Sequence, residues 1–208
     1  MAWIDFFTKI FVINLPERTD RLLDIAGELD KWGIPYELVN AIKHEKGAEG
    51  LRLTVQGIFE KAVENKWDSV LIFEDDAMFV ESCGNPNETM EKVVKQLPEA
   101  WHILLLGAQV TGGFRARTSP NLLRVEKAFA THAWALSLQG MKEILIQGLY
   151  APIDNCIVEK IQPMQQTYIT YPLLCTQKEG MSDIGGQFID WRPFIENRYY
   201  QKLGEIQP

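Results

Sequence analysis

Apolar positions in the first third of the chain fall into two alternating kinds of run. Residues 9–15, Lys9-Ile10-Phe11-Val12-Ile13-Asn14-Leu15, are dominated by β-branched and aromatic side chains, the pattern of a short buried strand. Pro16 follows, a favourable first-turn residue for a helix because its missing N–H has no partner there. From Glu17 onward, Leu22, Ile25, Ala26, Leu29 and Trp32 recur at helical spacing and form one apolar face. Gly33 and Pro35 end that helix, and residues 35–42 predict a second strand. A second helix is expected over about 49–66, with Leu51, Val55, Ile58, Phe59 and Ala62 inward. Residues 69–73, Ser69-Val70-Leu71-Ile72-Phe73, show no polar alternation, as in a strand covered on both faces. Strand, helix, strand, helix, strand in this order predicts a parallel sheet joined by right-handed crossovers.

The second half is less regular. Residues 90–97 read as a helix, 102–106 as another buried strand, and 107–120 as a loop containing two adjacent glycines. Residues 122–129 and 133–138 read as strands and 139–147 as a helix. A short helix is expected beyond Pro152, then a strand at 167–170 and an irregular tail. The pattern predicts one α/β domain over residues 1–208: an open, mostly parallel sheet flanked by helices, with a mixed second part. In such sheets ligands sit at the carboxyl ends of the strands.

Composition narrows the function. A chain of 208 residues suits one full-sized domain. With 21 basic and 28 acidic residues its net charge is −7, which disfavours nucleic acid as a partner. An anionic ligand would need a local site that overcomes the global field. Cys83, Cys156 and Cys175 are odd in number and lack zinc or disulfide spacing, so a reducing compartment is expected. The first fifteen residues carry Asp5, Lys9 and Asn14 and do not make a signal peptide. No apolar run approaches the roughly 20 residues of a spanning helix. The expectation is a soluble, cytoplasmic protein with no transmembrane segment, peripheral membrane association being left open. Oligomeric state is not readable.

Three segments carry candidate chemistry. In Val70-Leu71-Ile72-Phe73-Glu74-Asp75-Asp76 an apolar strand runs straight into three carboxylates. Such a cluster repels itself unless a cation neutralises it, and hard oxygen ligands suit Mg²⁺ or Mn²⁺. A solvated acidic turn is the competing reading. In an extended chain Glu74 and Asp76 would point to one side and Asp75 to the other. In the second segment, Asn14-Leu15-Pro16-Glu17-Arg18-Thr19-Asp20-Arg21, Arg18 and Arg21 stand three apart at a helix start, where free N–H groups favour an anion. Surface pairing with Glu17, Asp20 or Asp24 is the alternative. The third segment is Tyr150-Ala151-Pro152-Ile153-Asp154-Asn155, in which Asp154 reads, on local sequence alone, more readily as a helix cap than as a general base. His132 reads more readily as structural than as a ligand, His44 and His102 as background. Ser182 and Asp183 form either a turn or a closing loop.

Taken in order, these pieces resemble glycosyltransferase family 25, the lipooligosaccharide-type and collagen galactosyltransferases. The resemblance rests on Val12-Ile13-Asn14-Leu15 with Arg18 and Arg21, on Leu71 to Asp76, and on Thr131-His132-Ala133-Trp134-Ala135-Leu136-Ser137 with the helix of Gly140. It continues through Pro152-Ile153-Asp154 to Ser182-Asp183-Ile184, spanning about residues 9–186. It implies a GT-A type nucleotide-sugar-binding fold, a divalent ion, usually Mn²⁺ and otherwise Mg²⁺, and inverting transfer of a hexose from a UDP-sugar to a glycan or other hydroxyl acceptor. A lipooligosaccharide-type acceptor would place it in lipopolysaccharide biosynthesis. By position, Glu74 and Asp76 match the metal-gripping motif. Asn14, Leu15, Arg18, Arg21 and Asp75 match nucleotide-sugar contacts, and Asp154 matches the candidate base. His132, Ser182 and Asp183 are further substrate or metal candidates. One departure stands out: the family's Ser-His pair on the second helix is absent from Leu53-Thr54-Val55-Gln56.

Three other functions compete. A non-catalytic nucleotide-sugar or carbohydrate-binding module fits the missing histidine. A receiver-like signalling domain also carries paired acids after a buried strand, but after its first strand. A metal-dependent phosphohydrolase is the last. Donor sugar and acceptor are not legible.

Overall fold

The structure is a computed structural model describing residues 2–182 and 186–205. The apolar runs form the strands expected of them. Strand β1 (Lys9–Asn14) buries every residue after Lys9, and β3 (Ser69–Glu74) every residue before Glu74. Between them come helix α1 (Thr19–Asp30), strand β2 (Glu37–Asn40) and helix α2 (Gly47–Glu64). Helix α1 begins later than Pro16 because the Arg18 N–H bonds the Leu15 carbonyl at 2.8 Å, closing a turn ahead of the helix. Ile25 and Leu29 of α1, and Val55, Ile58, Phe59 and Ala62 of α2, supply the buried helix faces. Both β2 and β3 pair with β1 in parallel, as the strand–helix alternation requires.

Beyond β3 come β4 (Ala77–Phe79), α3 (Pro86–Gln96), β5 (Ile103–Leu105), β6 (Gln109–Ser119), β7 (Leu122–Phe129), β8 (Ala133–Ser137) and α4 (Leu138–Gln147). Helices α3 and α4 start on side-chain caps: Asn85 accepts from the Asn87 N–H and Ser137 from the Gly140 N–H. The last part holds α5 (Ile153–Cys156), β9 (Thr167–Thr170), β10 (Cys175–Gln177), the hairpin β11 (Gly180–Met181) and β12 (Phe188–Ile189), and α6 (Arg198–Gly204).

Eight strands form the main sheet in the order β2-β1-β3-β8-β5-β9-β7-β6. Strands β7 and β8 run against the other six, so the open, mostly parallel sheet with a mixed second half is as expected. Residues 107–120 are not a loop. Most of them make β6, whose pairing with β7 shifts register around Gly112 and Gly113. Gly113 has φ +94°, and a Cβ on Gly112 would lie 2.5 Å from that of Lys127. The glycines therefore mark bulges inside a long bent strand rather than a break.

The tail is also more ordered than expected. Strand β10 pairs with β4, and the Leu106 carbonyl anchors it by accepting from the Leu174 and Cys175 N–H groups at 3.0 and 2.9 Å. Tyr199 of α6 is fully buried, and its hydroxyl donates to the Thr170 carbonyl at 2.8 Å. All three cysteines are free and buried. Among the described residues no helix is long and apolar enough to cross a membrane.

Gly107 sits where β5 meets β10, and a Cβ there would lie 1.8 Å from the Cys175 carbonyl oxygen. That atom is backbone and has nowhere to go. Gly107→Ala should destabilise the fold by about 3 kcal/mol or more, near the upper end for overpacking, as read by urea denaturation. Gly27→Ala, with open space around it, should be neutral or stabilising.

Candidate functional site

The end of β3 is held from three directions. The Glu74 N–H donates to the His132 carbonyl at 2.8 Å, and the Thr131 hydroxyl donates to Glu74 Oε1 at 2.8 Å. The chain then turns at Asp75 and Asp76. Arg21, one helical turn into α1, donates from Nη1 to Asp75 Oδ1 at 2.9 Å and lies 3.8 Å from Asp76 Oδ2. The Lys178 N–H bonds the Asp76 carbonyl at 2.7 Å, and the Gln177 amide faces its carboxylate at 3.4 Å. The turn overrides the alternation expected of an extended chain: Glu74, Asp75 and Asp76 all line one cavity.

That cavity has a volume of about 610 Å³, within the range of small-molecule sites. One wall is made by the ends of β1 and β2 and the start of α2, including Asn14, Leu15, Ala41, Lys43 and Leu51. Asn14 is buried, its amide nitrogen donates to the Leu15 carbonyl at 2.7 Å, and its Oδ1 has no protein partner among the described residues. The other wall comes from Gln109, Phe129, Ala130, Thr131, the segment 152–155, and Ile189, Trp191 and Ile195. Ala130 has φ +78°, a strained conformation for a residue with a Cβ, and it separates two cavity-lining side chains.

The expected site residues separate into those the cavity gathers and those it does not. Asn14, Leu15, Arg18, Arg21, Glu74, Asp75, Asp76, Asp154 and Ser182 all line it. Arg18 and Arg21 do not act as one face: Arg18 grips its own Asp20 at 3.0 and 3.1 Å, while Arg21 turns to the carboxylates. Asp154 is no cap, because Pro152 occupies that position. Its Oδ1 accepts from the Asn155 N–H at 2.9 Å, and its charge reaches Glu74. His132 is fully buried and does not line the cavity, and burial pushes its pKa down to about 4, so its ring is neutral. Asp183 lies outside the described residues. The stretch lacking the family histidine holds the wall instead: the Thr54 hydroxyl accepts from the Ile42 N–H and donates to the Gly50 carbonyl, each at 2.8 Å.

Several lining residues carried no local signal. Gln177 and Lys178 arrive through β10, and Lys178 pairs with Asp24 of α1 at 2.6 Å. Lys43 pairs with Glu17 across the mouth, and His44, set aside as background, also lines the cavity. Only the tertiary pairing of distant segments reveals them.

The carboxylates are poorly compensated. Burial pushes the Glu74 carboxyl up from its usual range, Asp76, Asp75 and Asp154 push the same way, and the Thr131 hydrogen bond opposes them. Asp76 is also raised, first by burial and then by Asp75, with Arg21 and Gln177 pulling it back. Among the described residues no three His, Cys, Asp or Glu side chains group closely enough to hold a metal ion by themselves. Two carboxylates nevertheless fit the way a magnesium-like ion binds, sharing its coordination sphere with waters and phosphate oxygens.

No family model matches the chain, and no curated protein does. Among solved structures it is similar to A197 from STIV, with a TM-score of 0.55 at 13% identity, over 86% of this chain and 91% of that one. That likeness concerns the fold. A glycosyltransferase involved in the glycosylation of the major capsid of PBCV-1 matches with a TM-score of 0.49 at 12% identity, over 77% and 79%. UDP-glucose pyrophosphorylase complexed with UDP-glucose matches with a TM-score of 0.47 at 11% identity, over 93% and 81%.

The raised carboxylates fix a pH dependence. A carboxyl whose pKa is higher folded than unfolded stabilises the fold below its unfolded value, and that stability disappears as pH rises through the folded value. The ligand-free protein should therefore lose stability from about pH 4, where these carboxyls ionise in the unfolded chain, up to about pH 8, where Glu74 ionises in the folded one. Glu74→Gln removes one of these charges and keeps an acceptor for Thr131. Its melting temperature at pH 8 should exceed the wild type's by roughly 2–4 °C, the shift that about 1 kcal/mol produces at this chain length. The gap should close at pH 4, as measured by calorimetry.

Proposed function

We propose that this chain is a GT-A type glycosyltransferase that moves a hexose, galactose or glucose, from a UDP-sugar to a hydroxyl acceptor with inversion, as its resemblance to family 25 implies. One observation carries the reading: a single cavity joins a carboxylate cluster at the end of a parallel strand, the cations Arg18, Arg21, Lys43 and Lys178, and a separate carboxylate, Asp154. A charged leaving group and a proton acceptor are both provided for, at different places.

In this reading, the unpartnered Asn14 Oδ1 and the apolar floor of Leu15, Ala41 and Leu51 receive the nucleoside. Arg18, Arg21 and Lys178 lie where negative charge collects on the departing diphosphate, and fixed cations there lower the barrier more than mobile water does. Glu74 and Asp76 would hold a Mn²⁺ or Mg²⁺ ion, with Asp75 kept on Arg21. When bound, that ion supplies Lewis-acid stabilisation of the diphosphate. Asp154, on its rigid helical turn, takes the proton of the acceptor hydroxyl as that oxygen attacks the anomeric carbon. Attack from the face opposite the diphosphate inverts the configuration.

The acceptor, lipooligosaccharide, another glycan or a protein hydroxyl, is part of the proposal only as a class, as is a cytoplasmic site of action. A non-catalytic binding module would share the nucleotide half of the cavity and leave Asp154 without a role.

The decisive experiment is a thermal-shift panel of UDP-, GDP- and CMP-sugars with and without Mn²⁺, followed by transfer assays. Asp154→Asn should lower the transfer rate by about 100-fold or more while leaving UDP binding unchanged, since it removes only the proton acceptor. Full activity of that variant would sink the assignment. Asp76→Ala should abolish the Mn²⁺-dependent part of UDP binding by isothermal titration, and an unchanged titration would remove the metal from the proposal.

A further inference from the structure

The charges of the cavity are unevenly placed. Arg18, Arg21, Lys43 and Lys178 all come from segments around α1, the β2–α2 connection and the chain just after β10. In the sheet, β3 stands between β1 and β2 on one side and β8 and the strands beyond it on the other. The wall drawn from that other side comprises Gln109, Phe129, Thr131, Ile189, Trp191 and Ile195, and none of these carries a charge. Two carboxylates adjoin it: Glu74, which accepts from the Thr131 hydroxyl at 2.8 Å, and Asp154, which lines the same cavity.

Trp191 is the large flat group on this wall. It is partly exposed, neither sealed into the core nor free in solvent. Its backbone is fixed on both sides. Arg192 donates to Asp190 at 2.8 and 2.9 Å and to Glu179 at 2.8 Å, tying the segment after β12 to the segment before β11. The indole also packs edge-on against Phe194, with ring centres 5.7 Å apart. A half-open aromatic ring held this firmly loses little freedom when a ligand covers it. The face of an aromatic ring is electronegative, and it attracts the weakly positive C–H groups that line one side of a pyranose ring.

We infer that Trp191 is the acceptor platform: it stacks against a neutral hexopyranoside ring and presents one of that ring's hydroxyls toward Asp154. The inference rests on the glycosyltransferase reading and deepens it, by naming the acceptor class and the residue that selects it. A wall without cations disfavours acidic sugars, which would lose water there without gaining a partner. The Gln109 amide lines the cavity on this side and can meet hydroxyls at the edge of such a ring, the Thr131 proton being held by Glu74.

The test uses the full chain, UDP-galactose and UDP-glucose with Mn²⁺, and methyl β-galactoside, methyl β-glucoside, methyl β-glucuronide and a lysine-rich peptide as acceptor probes. Trp191→Ala should raise the KM of the neutral glycosides at least about tenfold, the scale of one lost aromatic contact, and leave the donor KM unchanged. Trp191→Phe should recover most of the loss. Saturation-transfer NMR gives a readout apart from turnover: methyl β-galactoside should receive magnetisation on the C–H groups of one ring face in the wild type and Trp191→Phe, and lose it in Trp191→Ala. Melting curves verify that the variants fold. An unchanged acceptor KM in Trp191→Ala, equal shifts in donor and acceptor KM, or stronger binding of the glucuronide or the peptide would each overturn the inference while leaving the transferase reading intact. Failure of the wild type to bind or use either UDP-hexose would overturn both.

Discussion

The ion pair between Arg21 and Asp75 is the constraint on which the site depends. Their side chains are only 15% and 11% exposed, so each has lost most of its water and neither is stable there without the other. The pair does more than neutralise. Arg21 belongs to α1 and Asp75 to the turn after β3, and the same guanidinium donates to the Met181 carbonyl at 2.5 Å. One side chain thus joins the first crossover helix, the acidic turn and the hairpin near the cavity mouth. It still leaves Glu74 and Asp76 largely uncompensated, which is why a cation or a protonated carboxyl is favoured beside them.

The scaffold explains why such an arrangement survives. Strand β3 is covered on both faces and paired on both edges, to β1 in parallel and to β8 in antiparallel. A strand so confined does not yield to repulsion at its end. The connection into β8 closes the site from behind, through the Thr131 hydroxyl and the His132 carbonyl. Strand β10, hung from the Leu106 carbonyl and paired with β4, brings Gln177 and Lys178 under Asp76. Electrostatic strain is tolerated where packing is most secure.

Much of this is legible in the sequence, because one physical rule governs it. A fully apolar strand that ends in three carboxylates identifies β3 and the cavity floor, and helical periodicity identifies α1 and α2. What escapes is set by long-range pairing. Residues 109–119 look like a loop because two adjacent glycines ordinarily break a strand, whereas here they form bulges against Lys127. Strand β10 has three residues and no period of its own; it exists because β4 and Leu106 offer partners. The split of Arg18 from Arg21 is equally invisible locally, since Asp75 lies 54 residues from Arg21. His132, set beside an apolar strand, is buried outside the cavity lining.

The placement of β8 between β3 and β5 has a consequence for how the chain must be made. Strand β3 leaves the ribosome well before its antiparallel neighbour, as about sixty residues separate Phe73 from its partner Ala133. Until β8 arrives, an apolar strand has one edge open, and such an edge templates association with other chains. Contacts this distant in sequence also close slowly. The insertion that completes the cavity floor therefore leaves the half-synthesised chain with an open apolar edge, and makes the first half, expressed alone, a poor candidate for an autonomous domain.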